Sequence, residues 1–394
     1  MTEGGTRLRT TRRAALAGAA GLMVVDARVG PARAQAGAAT MPAGAMELVV
    51  AANAPSTPTG MTVSAEGRIF IFMPRIDAKI AYSVGEVARD GSVTPYPDAG
   101  INRPDPQRPR DTLFFVPNGV MDGRNRLWML DGGLMDPSGA PVPGAAKLMC
   151  IDISNGAIVA NVPLGSAVEA TSSLNDLRID AGNGRRETAY VTDQGQGGQG
   201  AIIAVDLATG RAVRRLARHP STASTAGLVK MVEGRQMLLR SADGATKEIQ
   251  GGANGIALSP DASRLYYAPL MGRHLYSANT AALLDPQASD DVVAATVQDL
   301  GEKGFTGGLQ TDDRDRVYLA LQEHNAVGRR TGQGTIEIVA SDPRLIWADT
   351  MWIHDGWLYI NSAQVNRLPG FNGGRDMQRP PYAILRTRID AGRA

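Results

Sequence analysis

The chain has 394 residues, of which 43% are hydrophobic, so it can bury a large core without help from cross-links. A single cysteine, Cys150, excludes an intrachain disulfide and a zinc–thiolate cluster. The four histidines lie far apart and form no i, i+4 pair, so they predict no metal site of their own.

Residues 1–34 have the features of a secretory signal peptide. Arg12 and Arg13 form a twin arginine, and the apolar run 14–25 follows; its 12 residues are too few to span a bilayer, which takes about 20. Ala32-Arg33-Ala34 is a small-residue cleavage pattern. We expect export through the twin-arginine machinery and a periplasmic or secreted protein without a membrane span. A basic N-terminus on a cytoplasmic protein is the alternative.

The charge of the chain changes once this segment is set aside. Residues 1–34 hold six of the 41 basic and two of the 39 acidic residues, so the remainder carries 35 and 37 and a formal charge of −2. No cluster of lysines and arginines remains, and we therefore predict no nucleic-acid partner.

One module recurs along the rest of the chain. It consists of a turn with Asn or Gly, a short apolar stretch, a second turn and a β-rich strand. Its six copies start 42 to 79 residues apart and are 60–72, 118–131, 175–193, 254–267, 307–320 and 349–360. Further hairpins at 147–159 and 201–213 bring each repeat to four strands. These features predict an all-β fold, a six-bladed β-propeller with four-stranded antiparallel blades over residues 46–390. A two-sheet sandwich would not explain six copies.

The ends of this region should close the ring. We expect Glu47–Ala51 to pair with Tyr382–Arg388 in one blade, because without disulfides a propeller usually closes by sharing a blade between its two ends. The Pro- and Gly-rich stretches 95–109 and 134–145 predict long surface loops, and 277–284 is the best short helix candidate.

Several blocks resemble the royal jelly / yellow family when taken in order. They are 117–133, 172–180 with 189–193, 254–261 with 265–267 and 275–276, 301–304, 325–328 and 342–350. The resemblance implies a secreted six-bladed propeller. It implies no single chemistry, since insect members are linked to pigment metabolism, nutrient storage and amine binding. This chain lacks the cysteines of the insect members.

The strand openings are the candidate binding site. The first strand of each blade lines the channel of a propeller, so polar residues at the strand starts should meet at one mouth. We predict a small-molecule site there, with an aromatic wall from Trp347; its other residues are Asn118, Asn175, Asp176, Asn254, Thr306 and Asp349. Asn before a strand also has a purely structural role in turns, which is the alternative for each of them. Trp352 and Trp357 could extend the wall or pack between blades.

The same openings are similar to those of the gluconolactonase / senescence marker protein family. That resemblance implies a divalent cation, Ca²⁺ or Mg²⁺, held by Asn175, Asn254 and Asp349 and polarising a lactone carbonyl. However, Thr59-Gly60-Met61 has no counterpart of the glutamate that this family supplies from its first blade. A lactonase-like hydrolase is therefore the alternative to a binding protein, and a scaffold that binds proteins through its outer loops is a third.

Overall fold

The computed structural model describes Met1 and residues 44–76, 80–182 and 186–393. The predicted signal peptide, apart from Met1, lies outside these residues. Across the described ranges, no helix combines the length and the apolar character that crossing a bilayer requires.

Six antiparallel sheets of four strands each form the body of the protein, which confirms the predicted propeller. We number the sheets as blades 1 to 6. Their strands, from first to fourth, are Gly60–Val63, Ile69–Phe72, Val84–Val87 and Val93–Pro95 in blade 1; Asn118–Met121, Arg126–Asp131, Lys147–Asp152 and Ala157–Pro163 in blade 2; Leu174–Asp180, Thr188–Asp193, Ala201–Asp206 and Arg211–Arg215 in blade 3; Ala253–Leu258, Arg264–Pro269, His274–Asn279 and Gln298–Glu302 in blade 4; Thr306–Thr311, Val317–Leu321, Ala326–Arg330 and Ile336–Ser341 in blade 5; and Ala348–His354, Trp357–Ser362, Tyr382–Arg388 and Glu47–Ala52 in blade 6.

Blade 6 closes the ring with strands from both ends of the described region. Glu47–Ala52 pairs antiparallel with Tyr382–Arg388, with Glu47 opposite Arg386 and Ala52 opposite Tyr382. An ion pair between Glu47 and Arg386 reinforces this seam, and Thr387 Oγ1 donates a hydrogen bond to the Ala45 carbonyl at 2.9 Å. The predicted pairing of these strands is confirmed.

The first strands of the six blades surround a central channel, each contacting the first strand of the next blade until the circle closes. Because the strands splay outwards from this ring, the apolar side chains between neighbouring sheets supply most of the core. Trp128, Phe70, Phe72 and Tyr318 are among the largest buried side chains. Burying apolar surface contributes about 25 cal/mol per Å², so this packing is the main source of stability.

One long connection departs from the repeat and accounts for the widest spacing between modules. Residues 217–252, which we call the insertion, join blade 3 to blade 4 and carry two small hairpins, Met231–Val232 with Arg235–Gln236 and Leu238–Arg240 with Thr246–Glu248.

Among the residues that the structure describes, helical structure is confined to short segments. The α-helices are Thr280–Leu284 and Asp290–Ala294, capped by the side chains of Asn279 and Ser289, and the 3-10 turns are Gly165–Ala167, Val365–Arg367 and Pro369–Phe371. The predicted helix over 277–284 was wrong in its first three residues. Those residues belong to the third strand of blade 4, where Ser277 pairs with Tyr266 and Gln298.

Candidate functional site

Polar side chains from the strand openings meet in the channel. Asn118 of blade 2 donates a hydrogen bond from Nδ2 to Asp176 Oδ1 of blade 3 at 2.6 Å, and a longer one of 3.4 Å to Thr350 Oγ1 of blade 6. Arg178 donates to the same Asp176 oxygen at 2.9 Å and reaches across the channel to the Leu309 carbonyl of blade 5 at 2.6 Å. This network joins four blades at the axis.

Asp176 is the centre of that network. It is buried, and it also accepts the backbone N–H of Leu177 at 2.7 Å. Burial raises its pKa above the ordinary carboxyl value, although Arg178 and the hydrogen bonds from Leu177 and Asn118 oppose the rise. With its partners already in place, Asp176 primarily holds the blades together.

Asp349 has a different environment. It opens the first strand of blade 6, and part of its surface faces accessible space although it lies deep in the ring. Burial raises its pKa well above the usual range, and the nearby charge of Asp176 adds to the rise; Lys230 and a hydrogen bond from Trp347 oppose it. A carboxyl with a raised pKa keeps its proton to a higher pH than an ordinary aspartate and can donate that proton to a ligand.

Lys230 comes from the insertion, and the charge of Asp349 influences it. Its Nζ donates a hydrogen bond to Gln322 Oε1 and lies 4.2 Å from the ring centroid of Trp347 and 5.5 Å from that of Phe305. The side chain is fully buried, and burial lowers its pKa to about 7 in spite of the neighbouring Asp349 and Glu323 carboxylates. The amine can therefore change its charge in the neutral range.

The insertion covers this mouth of the channel. Met231 donates its N–H to Glu323 of blade 5 at 2.8 Å, and Glu233 pairs with Arg367 at 2.6 Å. Val232 and Met237 of the insertion pack in one apolar cluster with Phe305 and Trp347. The insertion thus roofs this mouth, and we call the covered site around Asp349 and Lys230 the roofed chamber.

Some polar groups of the chamber have no partner within the described residues. Thr306 Oγ1 and Gln322 Nε2 are buried without a hydrogen bond. Asn254 is also buried; only its backbone is engaged, accepting a hydrogen bond from Thr192 Oγ1 at 2.7 Å. An unsatisfied buried polar group costs about 1–3 kcal/mol, so these groups are available to a polar ligand.

The residues predicted from sequence separate into distinct sets. Asn118 and Asp176 bond to each other, and Asp349 and Trp347 lie with Lys230. Thr306 and Asn254 are buried at neighbouring strand openings. Asn175 is half-buried and has no side-chain hydrogen bond to the others. Two aromatic residues lie elsewhere. Trp352 faces the opposite mouth, and Trp357 lies beneath the guanidinium groups of Arg386 and Arg388, each 4.0 Å from its ring centroid.

Lys230, Gln322 and Phe305 were missed in the sequence. Lys230 belongs to the insertion, and the other two flank the strand openings of blade 5, so none of them falls in the repeated module. A buried lysine also carries no sequence signal, because lysine is usually exposed.

The donor set fits a divalent cation only in part. No three His, Cys, Asp or Glu side chains among the described residues are grouped so that they could hold a metal ion. Gly60 opens the first strand of blade 1. A Cβ on Gly60 would lie 2.5 Å from Asn118 Oδ1, so this strand opening has no space for an acidic side chain. Of the two carboxyls, Asp176 is already paired with Arg178.

Gly60→Ala tests how closely the first strands approach each other. The added Cβ would also lie 2.7 Å from the Pro117 carbonyl oxygen, which is backbone and cannot turn aside. We expect the free energy of unfolding to fall by about 1–3 kcal/mol, as for other overpacked sites. The measurement is urea denaturation, with Gly123→Ala as the control because nothing lies within 4 Å of its Cβ position. Equal stability of the two variants would contradict this packing.

A family model and individual relatives point to the same protein family. The family model described as "Major royal jelly protein" matches residues 119–393. Major royal jelly protein 3 of Apis mellifera is 28% identical over 207 residues, which cover 50% of this chain and 34% of the relative. Major royal jelly protein 7 of the same organism is 27% identical over 218 residues, covering 53% and 45%. The chain thus spans less than half the length of these relatives.

Solved structures resemble the fold at low sequence identity. A calcium-binding regucalcin of Agrobacterium tumefaciens superposes with a TM-score of 0.55 and 14% identity, covering 89% of this chain and 95% of that one. A gluconolactonase of Xanthomonas campestris gives 0.52 and 13%, covering 87% and 89%. At such identities the likeness shows a shared fold, and activity has to be argued from the site.

Proposed function

Because the chain belongs to the major royal jelly protein family, we propose that it is an exported propeller that binds a small molecule in the roofed chamber at the channel mouth. The observation that carries the proposal is the burial of two ionisable groups whose charges influence each other, Asp349 and Lys230, next to the unpartnered Nε2 of Gln322. Burying two ionisable groups without full compensation is costly, and such groups are characteristic of binding and catalytic sites.

The chamber indicates the chemistry of its ligand. Trp347 and Phe305 offer aromatic surface, Lys230 and Gln322 offer donors, and Asp349 offers a donor or an acceptor according to its protonation. Burial shifts the pKa of the acid upwards and that of the amine downwards, which favours the uncharged form of both groups. A small, partly apolar molecule with one or two polar groups suits this combination.

Export is the second part of the proposal. It rests on the twin arginine Arg12 and Arg13 and on the cleavage pattern before Gln35, which together favour the twin-arginine machinery and a periplasmic or secreted location. N-terminal sequencing of the protein recovered outside the cytoplasm should begin at Gln35; an unprocessed cytoplasmic product would contradict it.

A divalent-metal-dependent, lactonase-like hydrolase is the alternative, supported by the regucalcin and gluconolactonase fold and by the oxygen donors of Asn175, Asn254 and Asp349. We derive no step through a metal, because Gly60 leaves no space for an acidic side chain in blade 1 and Asp176 is already paired with Arg178. Elemental analysis decides between the two functions. A stoichiometric divalent ion that is lost in Asn175→Ala would favour the hydrolase, and a metal-free protein that binds ligand would favour the binding protein.

Asp349→Asn tests the binding site through both stability and affinity. The folded-state pKa of Asp349 lies above that of the unfolded chain, so its ionisation costs stability as the pH rises above about 4. We therefore expect Asn to raise the free energy of unfolding by about 0.5–2 kcal/mol at pH 8 and to have little effect at pH 4. The same variant should lose ligands found in a thermal-shift screen of catechol amines, indole amines and lactones.

Asp111→Asn is the matched control, since Asp111 is exposed. It should leave both the stability profile and the ligand response unchanged. A gain at pH 4 equal to that at pH 8 would contradict the assignment of Asp349, and hits that bind Asp349→Asn as tightly as the unmodified protein would contradict the site.

A further inference from the structure

We propose that the opposite mouth of the channel is a second binding site, which takes a small anion with a carboxylate or phosphate group between Arg393 and Arg178. This site is distinct from the roofed chamber. The network of Asn118, Asp176 and Arg178 lies between the two.

A cavity of about 190 Å³ lies where the first strands end. Residues of five blades line it, including Met121, Arg178, Ser259, Gln310 and Trp352, and Arg393 completes the wall. Pockets for drug-sized ligands measure about 300–1,000 Å³, so this one suits a smaller molecule. Its position on the propeller axis lets several blades contribute to one ligand.

Arg393 is the cationic group without a carboxylate partner. It donates a hydrogen bond from Nη1 to the Met121 carbonyl at 2.8 Å, and its guanidinium lies 4.5 Å from the ring centroid of Trp352. It forms no ion pair with any residue that the structure describes. Burial lowers its pKa, the nearby Asp122 opposes the shift and the charge of Arg178 adds to it. An arginine in this position would gain from an anionic partner.

The acid nearest to Arg393 is already engaged. Asp122 accepts hydrogen bonds from Arg126 Nε at 2.7 Å and from the Trp128 indole at 3.0 Å, and its other oxygen accepts the backbone N–H of Arg124 at 2.8 Å. Asp122 therefore neutralises Arg126 more directly than it does Arg393. Asp180 also lines the cavity, and Arg178 and Arg393 are the basic groups of its wall.

Arg178 supplies the second cationic side. Its two terminal nitrogens bond to Asp176, Leu177 and Leu309, but its Nε is buried without a hydrogen bond. Two guanidinium groups that repel each other across a small cavity are stabilised when a carboxylate or phosphate binds between them. The planar donor groups of arginine match the oxygens of these anions.

Arg393 is held in position before any ligand arrives. Gly392 and Asp313 exchange two hydrogen bonds of 3.1 Å, one from each N–H, and Asp312 forms a β-bridge with Arg393. Preorganisation of this kind reduces the entropy lost on binding.

Isothermal titration of the full-length protein with acetate, succinate and inorganic phosphate, each at constant ionic strength, tests the proposal. We expect saturable one-to-one binding of at least one of the three anions, and sodium chloride should not mimic it. Arg393→Gln should weaken that binding at least tenfold, and Arg393→Lys should restore part of it. Arg388→Gln is the control, because Arg388 also stacks on a tryptophan, Trp357, but does not line the cavity.

Two results would overturn the proposal: no saturable binding of any of these anions to the unmodified protein, or equal affinity in Arg393→Gln. Asp349→Asn distinguishes this site from the proposed function. Anion binding should persist in Asp349→Asn, whereas ligands of the roofed chamber should be lost from it.

Discussion

Deletion of residues 44–52 is expected to abolish the cooperative unfolding of the propeller. This segment supplies the fourth strand of blade 6, which pairs with Tyr382–Arg388 at five positions. Backbone hydrogen bonds contribute about 0.5–1.5 kcal/mol each, and the buried Val50 and Ala52 add apolar contacts. The loss is on the order of 5 kcal/mol, comparable with the whole stability of many domains.

The control for the deletion is a chain that begins at residue 35. It lacks the predicted signal peptide but keeps the whole of blade 6, so it should unfold in one sharp transition in urea. The chain lacking residues 44–52 should show a broad transition and an exposed edge strand that promotes aggregation. A deletion chain with the same midpoint and slope as the control would show that the ring does not depend on this closure.

Asp131→Ala is expected to cost about 3–5 kcal/mol in the free energy of unfolding. Asp131 and Lys147 form an ion pair of 2.7 Å in blade 2, and both side chains are fully buried. Asp131 also accepts backbone N–H groups of Phe114, Phe115 and Gly133 at 2.8–3.0 Å. Its removal leaves the buried Lys147 ammonium without a counter-charge, with only backbone carbonyls as acceptors, and leaves the three N–H donors without a partner.

A second variant separates loss of charge compensation from loss of packing. In Asp131→Leu combined with Lys147→Met, both charges are gone, so we expect the double variant to be more stable than Asp131→Ala. Asp136→Ala is the control, since Asp136 accepts hydrogen bonds only within an exposed turn, and it should cost less than about 1 kcal/mol. If Asp131→Ala costs no more than this control, the buried pair is not needed for stability.

The fold was accessible from the sequence because its dominant interactions repeat. Each blade begins with the same turn and strand, so six weak local signals combined into one strong signal. Closure by Tyr382–Arg388 followed from the need of a ring without disulfides to join its ends. The predicted helix 277–284 began three residues too early, because the local pattern did not reveal that Ser277 pairs with strands on both sides.

The candidate site was accessible only in part. Asn118, Asp176, Asn254 and Asp349 belong to the repeated openings, and their convergence follows from the symmetry of the ring. The roof and its Lys230 come from an irregular insertion whose position is fixed by distant contacts such as Glu233 with Arg367. Packing decides whether the Asn or Asp of a strand opening bonds to a neighbouring side chain or stays available to a ligand. Asp176 bonds to Arg178, whereas Asp349 stays available, and the sequence does not distinguish the two.

A crystal structure of the mature chain grown with a compound from the thermal-shift screen tests the proposed function most directly. The account predicts electron density for the compound beneath the insertion, in contact with Asp349, Lys230 and Gln322. Density confined to the outer loops, or a chamber filled by a rearranged Lys230 with no space for a ligand, would contradict it.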